Sequence, residues 1–313
     1  MGHDGDFGVI PVGVVGGQRL FAEHVERRTR QVPGIERRDQ IGIDIDADSE
    51  KTYKLNFPNA DFLCRDIRSL DVVELSGFIQ RRPGVALLFG ACAPCQPFSR
   101  QNQHKARDDG RRDLLGEFSR FIKEYLPEYL FVENVPGLQA IYEQDGLFAE
   151  FLHLLKRLGY AYDYHVVLAY HYGVPQSRRR LILIASRLGP ITFPSPTHGP
   201  GTDKPSLPTV WHWIGDLPAI KAGETHPDIP NHRAAQLSRL NIRRIRATPE
   251  GGDRLHWPDE LALSCHKNHT GHTDVYGRMV KNRPSAALTT RCISLSNGRF
   301  GHPEQHRAMS VRE

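Results

Sequence analysis

Residues 91–99 read Ala-Cys-Ala-Pro-Cys-Gln-Pro-Phe-Ser and follow directly on the apolar run 85–89. Cys95 therefore stands between a proline and a glutamine on a loop leaving a buried strand, where a thiol is displayed for chemistry rather than packing. Cys92 and Cys95 also make a C-x-x-C pattern, so a redox dithiol and half a zinc site are alternatives. Zinc needs further ligands, and the richest source is Cys265, His266, His269 and His272, whose spacing differs from that of a standard finger. A redox dithiol usually opens a helix directly, whereas Pro97 follows two residues after Cys95. Two further motifs carry charge. Glu133-Asn134, within residues 131–138, puts a carboxylate and an amide at a strand end before a tight turn. Gln176-Ser177-Arg178-Arg179-Arg180 leads into another strand, and in an extended lead-in Arg178 and Arg180 face the same side. Three strand ends could then offer a thiol, a carboxylate and two guanidiniums to one cleft. The plainer reading of Glu133 is a partly buried acid paired with an arginine.

The elements that must position these groups follow from apolar periodicity. Strands are expected at 9–15, 41–45, 62–64, 85–89, 129–132, 164–169 and 181–185, with a polar helix from Gly16-Gly17 to about Arg30. Leu114, Leu115, Phe118, Phe121, Ile122 and Tyr125 recur at helical spacing. So do Leu147, Phe148, Phe151, Leu152, Leu155 and Leu158, before a stop at Gly159. Both stripes read as core packing. Alternating strands and helices predict an α/β fold with a doubly wound, mostly parallel sheet and ligands at the carboxyl ends of its strands. After Gly189 the pattern becomes irregular, with a basic, helical patch expected at 231–247. The expected division is a catalytic and cofactor-binding domain at 1–189, a smaller recognition domain at 190–282 and a return segment at 283–313.

The 313 residues suffice for one large domain or two moderate ones. No apolar run approaches the roughly 20 residues of a membrane helix, and the first residues lack the layout of a secretory signal. Five scattered cysteines, an odd number, argue against a disulfide framework and for a reducing compartment. A net charge of +5 mildly favours an anionic partner. Arg178-Arg179-Arg180, Arg107 with Arg111-Arg112, and Arg243-Arg244-Arg246 point to a phosphate-binding surface.

Pro94-Cys95-Gln96, Glu133-Asn134-Val135 and Gln176-x-Arg178-x-Arg180 occur in the order and approximate spacing of the DNA cytosine-5 methyltransferases, and the chain resembles that family over most of its length. Tyr276-Gly277-Arg278, Arg283-Pro284, Leu288-Thr289-Thr290-Arg291, Asn297-Gly298-Arg299-Phe300 and His302-Pro303 resemble its segment after the target-recognition region. Ile43-Asp44-Ile45-Asp46, with Asn56 and Asp66-Ile67, resembles its cofactor-binding strand ends. The resemblance implies methyl transfer from S-adenosylmethionine to C5 of a cytosine flipped from duplex DNA, on a Rossmann-like fold. Cys95 would attack C6, Glu133 would hold N3 and the exocyclic amine, Arg178 would steady the base and the thiolate, and Arg180 would orient Glu133 or a phosphate. Asp44 would take the ribose hydroxyls and Asp66 the adenine amine, with Gly16, Gly17, Ile67 and Pro94 also on the cofactor side. Gln96, Asn134 and Gln176 would line the substrate. No metal is implied.

The same resemblance implies a prokaryotic, cytoplasmic monomer working at the nucleoid, away from membranes, within a restriction–modification system beside a cognate endonuclease. Basic residues within 231–246 would contact phosphates. Two departures bear on activity. Aligning Gly16-Gly17 with the end of the family's Phe-x-Gly-x-Gly-Gly motif puts Val12 at the aromatic position and Val14 at the first glycine. The family also continues past Val311-Arg312-Glu313 into a final helix and an Asn-Val segment that close the cofactor pocket. The base-handling half of the site is thus expected to be fuller than the methyl-donor half. An impaired cytosine-recognising DNA-binding protein and a tRNA-directed enzyme remain as alternatives.

Overall fold

The computed structural model describes residues 8–15 (as backbone), 41–92, 114–136, 146–201, 203–264, 274–289 and 291–313. Seven strands make one sheet: β1 (Gly8–Val15), β2 (Ile41–Asp44), β3 (Asp61–Cys64), β4 (Val85–Cys92), β5 (Tyr129–Asn134), β6 (Ala161–Leu168) and β7 (Arg179–Ser186), in the order β3-β2-β1-β4-β5-β7-β6. The pairs β3–β2, β2–β1, β1–β4 and β4–β5 are parallel, and β7 joins β5 antiparallel. All seven expected strands are present, in a mostly parallel, doubly wound α/β arrangement. The reason is visible in composition. β4, Val-Ala-Leu-Leu-Phe-Gly-Ala-Cys, is apolar throughout and almost wholly buried, as a strand covered on both faces must be.

Among the described residues three helices accompany the sheet: α1 (Ala47–Asn56), α2 (Leu114–Tyr125) and α3 (Leu147–Arg157). The apolar stripes of α2 and α3 enter the core as expected, through Leu115, Phe118, Phe121 and Ile122 and through Phe148, Phe151, Leu154 and Leu155. α3 stops where Gly159 adopts φ 81°, a left-handed conformation glycine takes without strain. α1 gave no periodic signal because it buries none of its residues. It starts at Asp46, whose side chain accepts the Asp48 amide, and it leans on the sheet through Tyr53. Gly42 is required there, since a Cβ would lie 2.8 Å from the Tyr53 ring. The expected polar helix up to Arg30 lies outside the described residues.

The chain divides into two compact units. One comprises Met1–Val167 with Arg179–Pro194, the other Leu168–Arg178 with Ser195–Glu313. Residues 283–313 thus group with the second unit. Among the described residues that unit holds two short α-helices, α4 (Val210–Ile214) and α5 (Arg239–Ala247), amid turns and extended segments. The helix expected at 231–247 is therefore shorter than its sequence suggested. Ser238 caps α5 by accepting the Asn241 amide, while Arg233 upstream is bridged to Thr225 in extended conformation.

Buried arginines tie this irregular unit together. Arg278 donates to the carbonyls of Thr248 and His302 at 2.8 Å, Gln305 at 3.0 Å and Ile245 at 2.5 Å. Arg307 grips both carboxylate oxygens of Glu313 at 2.6 Å, and the Ser310 amide donates to the same group. Burial alone would raise the Glu313 pKa, but the hydrogen bonds from Arg307 and Ser310 hold it below the usual carboxylate range. His302, buried beside Arg307, is pushed down to about 4, mainly by desolvation.

Candidate active site

The site is built on the carboxyl edge of the sheet. Val15 of β1 pairs with Cys92 of β4, and Cys92 pairs with Glu133 of β5. Asp44 ends β2 one residue past Ile43, which is level with Val14 of β1, and it pairs with Cys64 of β3. Four neighbouring parallel strands therefore bring Asp44, the residue before Gly16, the start of the cysteine loop and Glu133 to one rim. This is the rim where doubly wound sheets bind ligands.

Alternation along β5 decides which way its two polar residues point. Leu130, Val132 and Asn134 are buried on one face, and Glu133 falls on the other with Tyr129 and Phe131. The Asn134 side-chain oxygen accepts the Val135 amide at 2.8 Å, so it shapes the strand's exit. Glu133 Oε1 lies 2.5 Å from Nε of Arg180, at the start of β7, and both side chains are largely shielded. This is an ion pair without an aligned hydrogen bond, since the Nε–H has no acceptor along its direction. The pairing of Glu133 with Ile182 across the antiparallel ladder puts Arg180 within reach.

On the other side of the rim, Asp44 is 3% exposed and its Oδ1 accepts the Asp46 amide at 3.0 Å. Asp46 itself is the cap of α1. Asp66, just past β3, accepts two hydrogen bonds from Arg68 Nε and a third from Nη2, and these bonds lower its pKa. Arg68 went unremarked in the sequence; its i+2 spacing from Asp66 was the available signal. Ile67 points inward and joins the hydrophobic core. Gly16, Gly17, Pro94, Cys95 and Gln96 lie outside the described residues, as do the Cys265–His272 run and Arg107, Arg111 and Arg112. Cys92, the other half of the C-x-x-C pattern, is buried at the end of β4.

Gln176 and Arg178 belong to the second unit. The Gln176 stretch is bridged in parallel to Ser285, with the Ser177 amide donating to the Ser285 carbonyl at 2.8 Å and the Ser285 amide to Pro175 at 2.9 Å. Two segments 109 residues apart in sequence are thus joined through their backbones. The Gln176 side-chain oxygen is buried without a partner and lines a mainly apolar pocket of about 240 Å³ with Met279, Leu288 and Met309. Arg178 is half-buried. One expectation needs correction. Arg244 is no phosphate ligand: it is 6% exposed, donates to the Leu261 carbonyl and lies over the Trp257 ring at 5.2 Å.

Comparison with known proteins decides what this rim belongs to. Residues 15–313 match the model of the C-5 cytosine-specific DNA methylases. The chain belongs to that family. The methylase is 38% identical over 274 residues to the Type II methylase M.HgiDII of Herpetosiphon aurantiacus, covering 87% of this chain and 75% of the relative. It is 31% identical to the Type II methyltransferase M1.HphI of Haemophilus parahaemolyticus, covering 87% and 69%. Its fold matches the crystal structure of a putative DNA modification methyltransferase from an Escherichia coli prophage, with a TM-score of 0.66, 18% identity, and coverage of 98% and 86%. The enzyme is a DNA cytosine-5 methyltransferase, and its family membership implies S-adenosylmethionine as methyl donor. Among the described residues no helix is long and apolar enough to cross a membrane.

Proposed function

We propose that the methylase modifies C5 of a cytosine flipped out of duplex DNA, with Cys95 as nucleophile and Glu133 as the group that activates and selects the base. The observation carrying this reading is the shielded Glu133–Arg180 pair, level with Cys92 on the carboxyl rim. Cys95 follows Cys92 by three residues, a span a chain covers in at most about 11 Å. Addition of the Cys95 thiolate to C6 makes C5 an enamine-like carbon. Glu133 at the Watson–Crick edge would accept from the exocyclic amine and share a proton with N3, drawing charge away from the ring as the C6–S bond forms. Arg180 fixes the carboxylate for that contact. Loss of the C5 proton then breaks the C6–S bond and returns the thiolate.

S-adenosylmethionine, when bound, supplies the electrophilic methyl group that the activated carbon takes. The donor set on the rim suits it. Ribose hydroxyls and an adenine amine are hydrogen-bond donors, and Asp44 and Asp66 are carboxylates at the ends of adjacent strands. In this reading Arg178, Gln96 and Gln176 serve the base and Asn134 supports it indirectly by shaping the strand exit beside Glu133, while Gly16, Gly17 and Pro94 serve the cofactor and Ile67 supports that side from the core. The natural setting would be a prokaryotic cytoplasm, as a monomer beside a cognate endonuclease.

The test is covalent trapping. With S-adenosylmethionine present, duplex carrying 5-fluorocytosine at the target should form a stable adduct with the enzyme, because once C5 carries the methyl group fluorine cannot leave as a proton does. Cys95→Ser should abolish the adduct while Cys92→Ser retains it. An undiminished adduct with Cys95→Ser would sink the assignment.

A further inference from the structure

The helix α5, Arg-Leu-Asn-Ile-Arg-Arg-Ile-Arg-Ala, holds four arginines and no acid. At about 100° per residue, Arg239, Arg243 and Arg246 fall within about 60° of one another on the helix circumference. All three are exposed, whereas Arg244 and Ile245 on the opposite side are buried. The charge around this stripe is lopsided. Asp259 and Glu260 sit on a short turn packed against α5, and the nearest ion pair is 3.8 Å from Arg243 to Glu260, with both side chains mostly in water. On the other flank are Arg278 and the exposed His306, whose pKa is lowered by partial burial and then by Arg278 and Arg246.

A stripe of like charges works against its own helix. Two arginines at i and i+4 repel each other, and an arginine in the first turn opposes the helix dipole. Packing does not require the stripe either, since these side chains are the ones that do not pack. Its geometry fits an extended polyanion. The helix rises about 10 Å from Arg239 to Arg246, which matches the rise along the duplex axis of about three nucleotides of one DNA strand at about 3.4 Å each.

We propose that Arg239, Arg243 and Arg246 grip consecutive phosphates of one strand of the DNA, as a sequence-independent clamp within the second unit. The inference rests on duplex DNA being the substrate. Arg244, the fourth arginine, holds the helix in place from beneath.

Equilibrium binding to fluorescently labelled duplexes, with and without the target site, tests this across about 0.05–0.2 M salt. Replacing all three arginines by glutamine should flatten the plot of log affinity against log salt by about 2.7, from about 0.9 per phosphate contact, and weaken binding roughly a hundredfold at about 0.15 M. The loss should be equal for both duplexes. Replacement by lysine should restore the slope. Tryptophan emission of the glutamine variant should match the parent, showing that the unit is folded. An unchanged slope, or a loss confined to the target-bearing duplex, would overturn the clamp while leaving the substrate reading intact. A parent enzyme that binds no duplex at all would overturn both.

Discussion

The two units solve the same problem by opposite means. The first buries Leu87, Phe89, Phe118, Phe121, Ile122, Leu155 and Leu183 between sheet and helices, in a contiguous apolar core. The second has only small apolar clusters, around Ile214 and Met309 and around Ile245 and Leu295. It relies instead on the buried guanidiniums of Arg278 and Arg307, satisfied by backbone carbonyls that regular structure would otherwise have paired and, for Arg307, by the Glu313 carboxylate. Where secondary structure is sparse, orphan carbonyls are many, and a buried arginine with five donors satisfies several at once. The cost of such a core is intolerance. A Phe can be repacked by Leu; an Arg with four or more partners cannot be replaced by Lys.

The largest expected effect breaks the comparison at its base. Arg278→Met should destabilise the second unit by about 3–5 kcal/mol, because it strands several buried carbonyls. Phe118→Leu in the first unit should cost less than about 1.5 kcal/mol. In denaturant unfolding, tryptophan emission reads the second unit, since Trp211, Trp213 and Trp257 are the chain's three tryptophans, and far-ultraviolet circular dichroism reads the sheet and helices of the first. Equal losses for the two variants would show that the contrast is only apparent.

Acid should separate the units next. The His302 pKa is about 4 in the fold against about 6.5 for a free histidine, so the unfolded chain binds a proton first. Stability contributed by neutral His302 is complete above pH about 6.5 and drains away as pH falls towards about 4, by up to about 3 kcal/mol. Glu313, held low by Arg307, adds a loss that begins as pH falls through the usual carboxylate range and continues below it. Tryptophan-monitored melting should therefore weaken between pH 7 and 5, and His302→Gln should blunt that dependence. A flat profile in the parent would remove histidine burial from the account.

The smallest effect should be alike in both units. Asp46→Ala at α1 and Ser238→Ala at α5 each remove one capping hydrogen bond and should each cost about 1 kcal/mol. Thermal denaturation of the pair would sharpen the comparison by showing that local signals carry the same weight in either setting. A cap that costs far more in one unit would mean that its helix anchors more than itself.

Legibility in the sequence follows the same divide. The strands and the α2 and α3 stripes were readable because a regular element repeats its buried face at a fixed period, and so was the pairing of Glu133 with an arginine. α1 escaped because it buries nothing, and α4 because five residues hold barely one turn. Arg244 read as one of three surface charges, since a triplet of arginines says nothing about which one a helix turns inward. Arg68 and the Gln176–Ser285 bridge depend on turns and long-range pairing that have no period.

By itself the sequence determined the strand set, the doubly wound class and the chemistry its motifs name, because residue type and periodicity are local. Only the tertiary structure decided that Asp44, the residue before Gly16, the start of the cysteine loop and Glu133 share one rim. It alone decided that Arg180 meets Glu133 and that Arg244, Arg278 and Arg307 are core rather than surface. Those outcomes are set by register between strands far apart in the chain and by which polar groups are left unpaired after packing. Neither can be read from a residue and its neighbours.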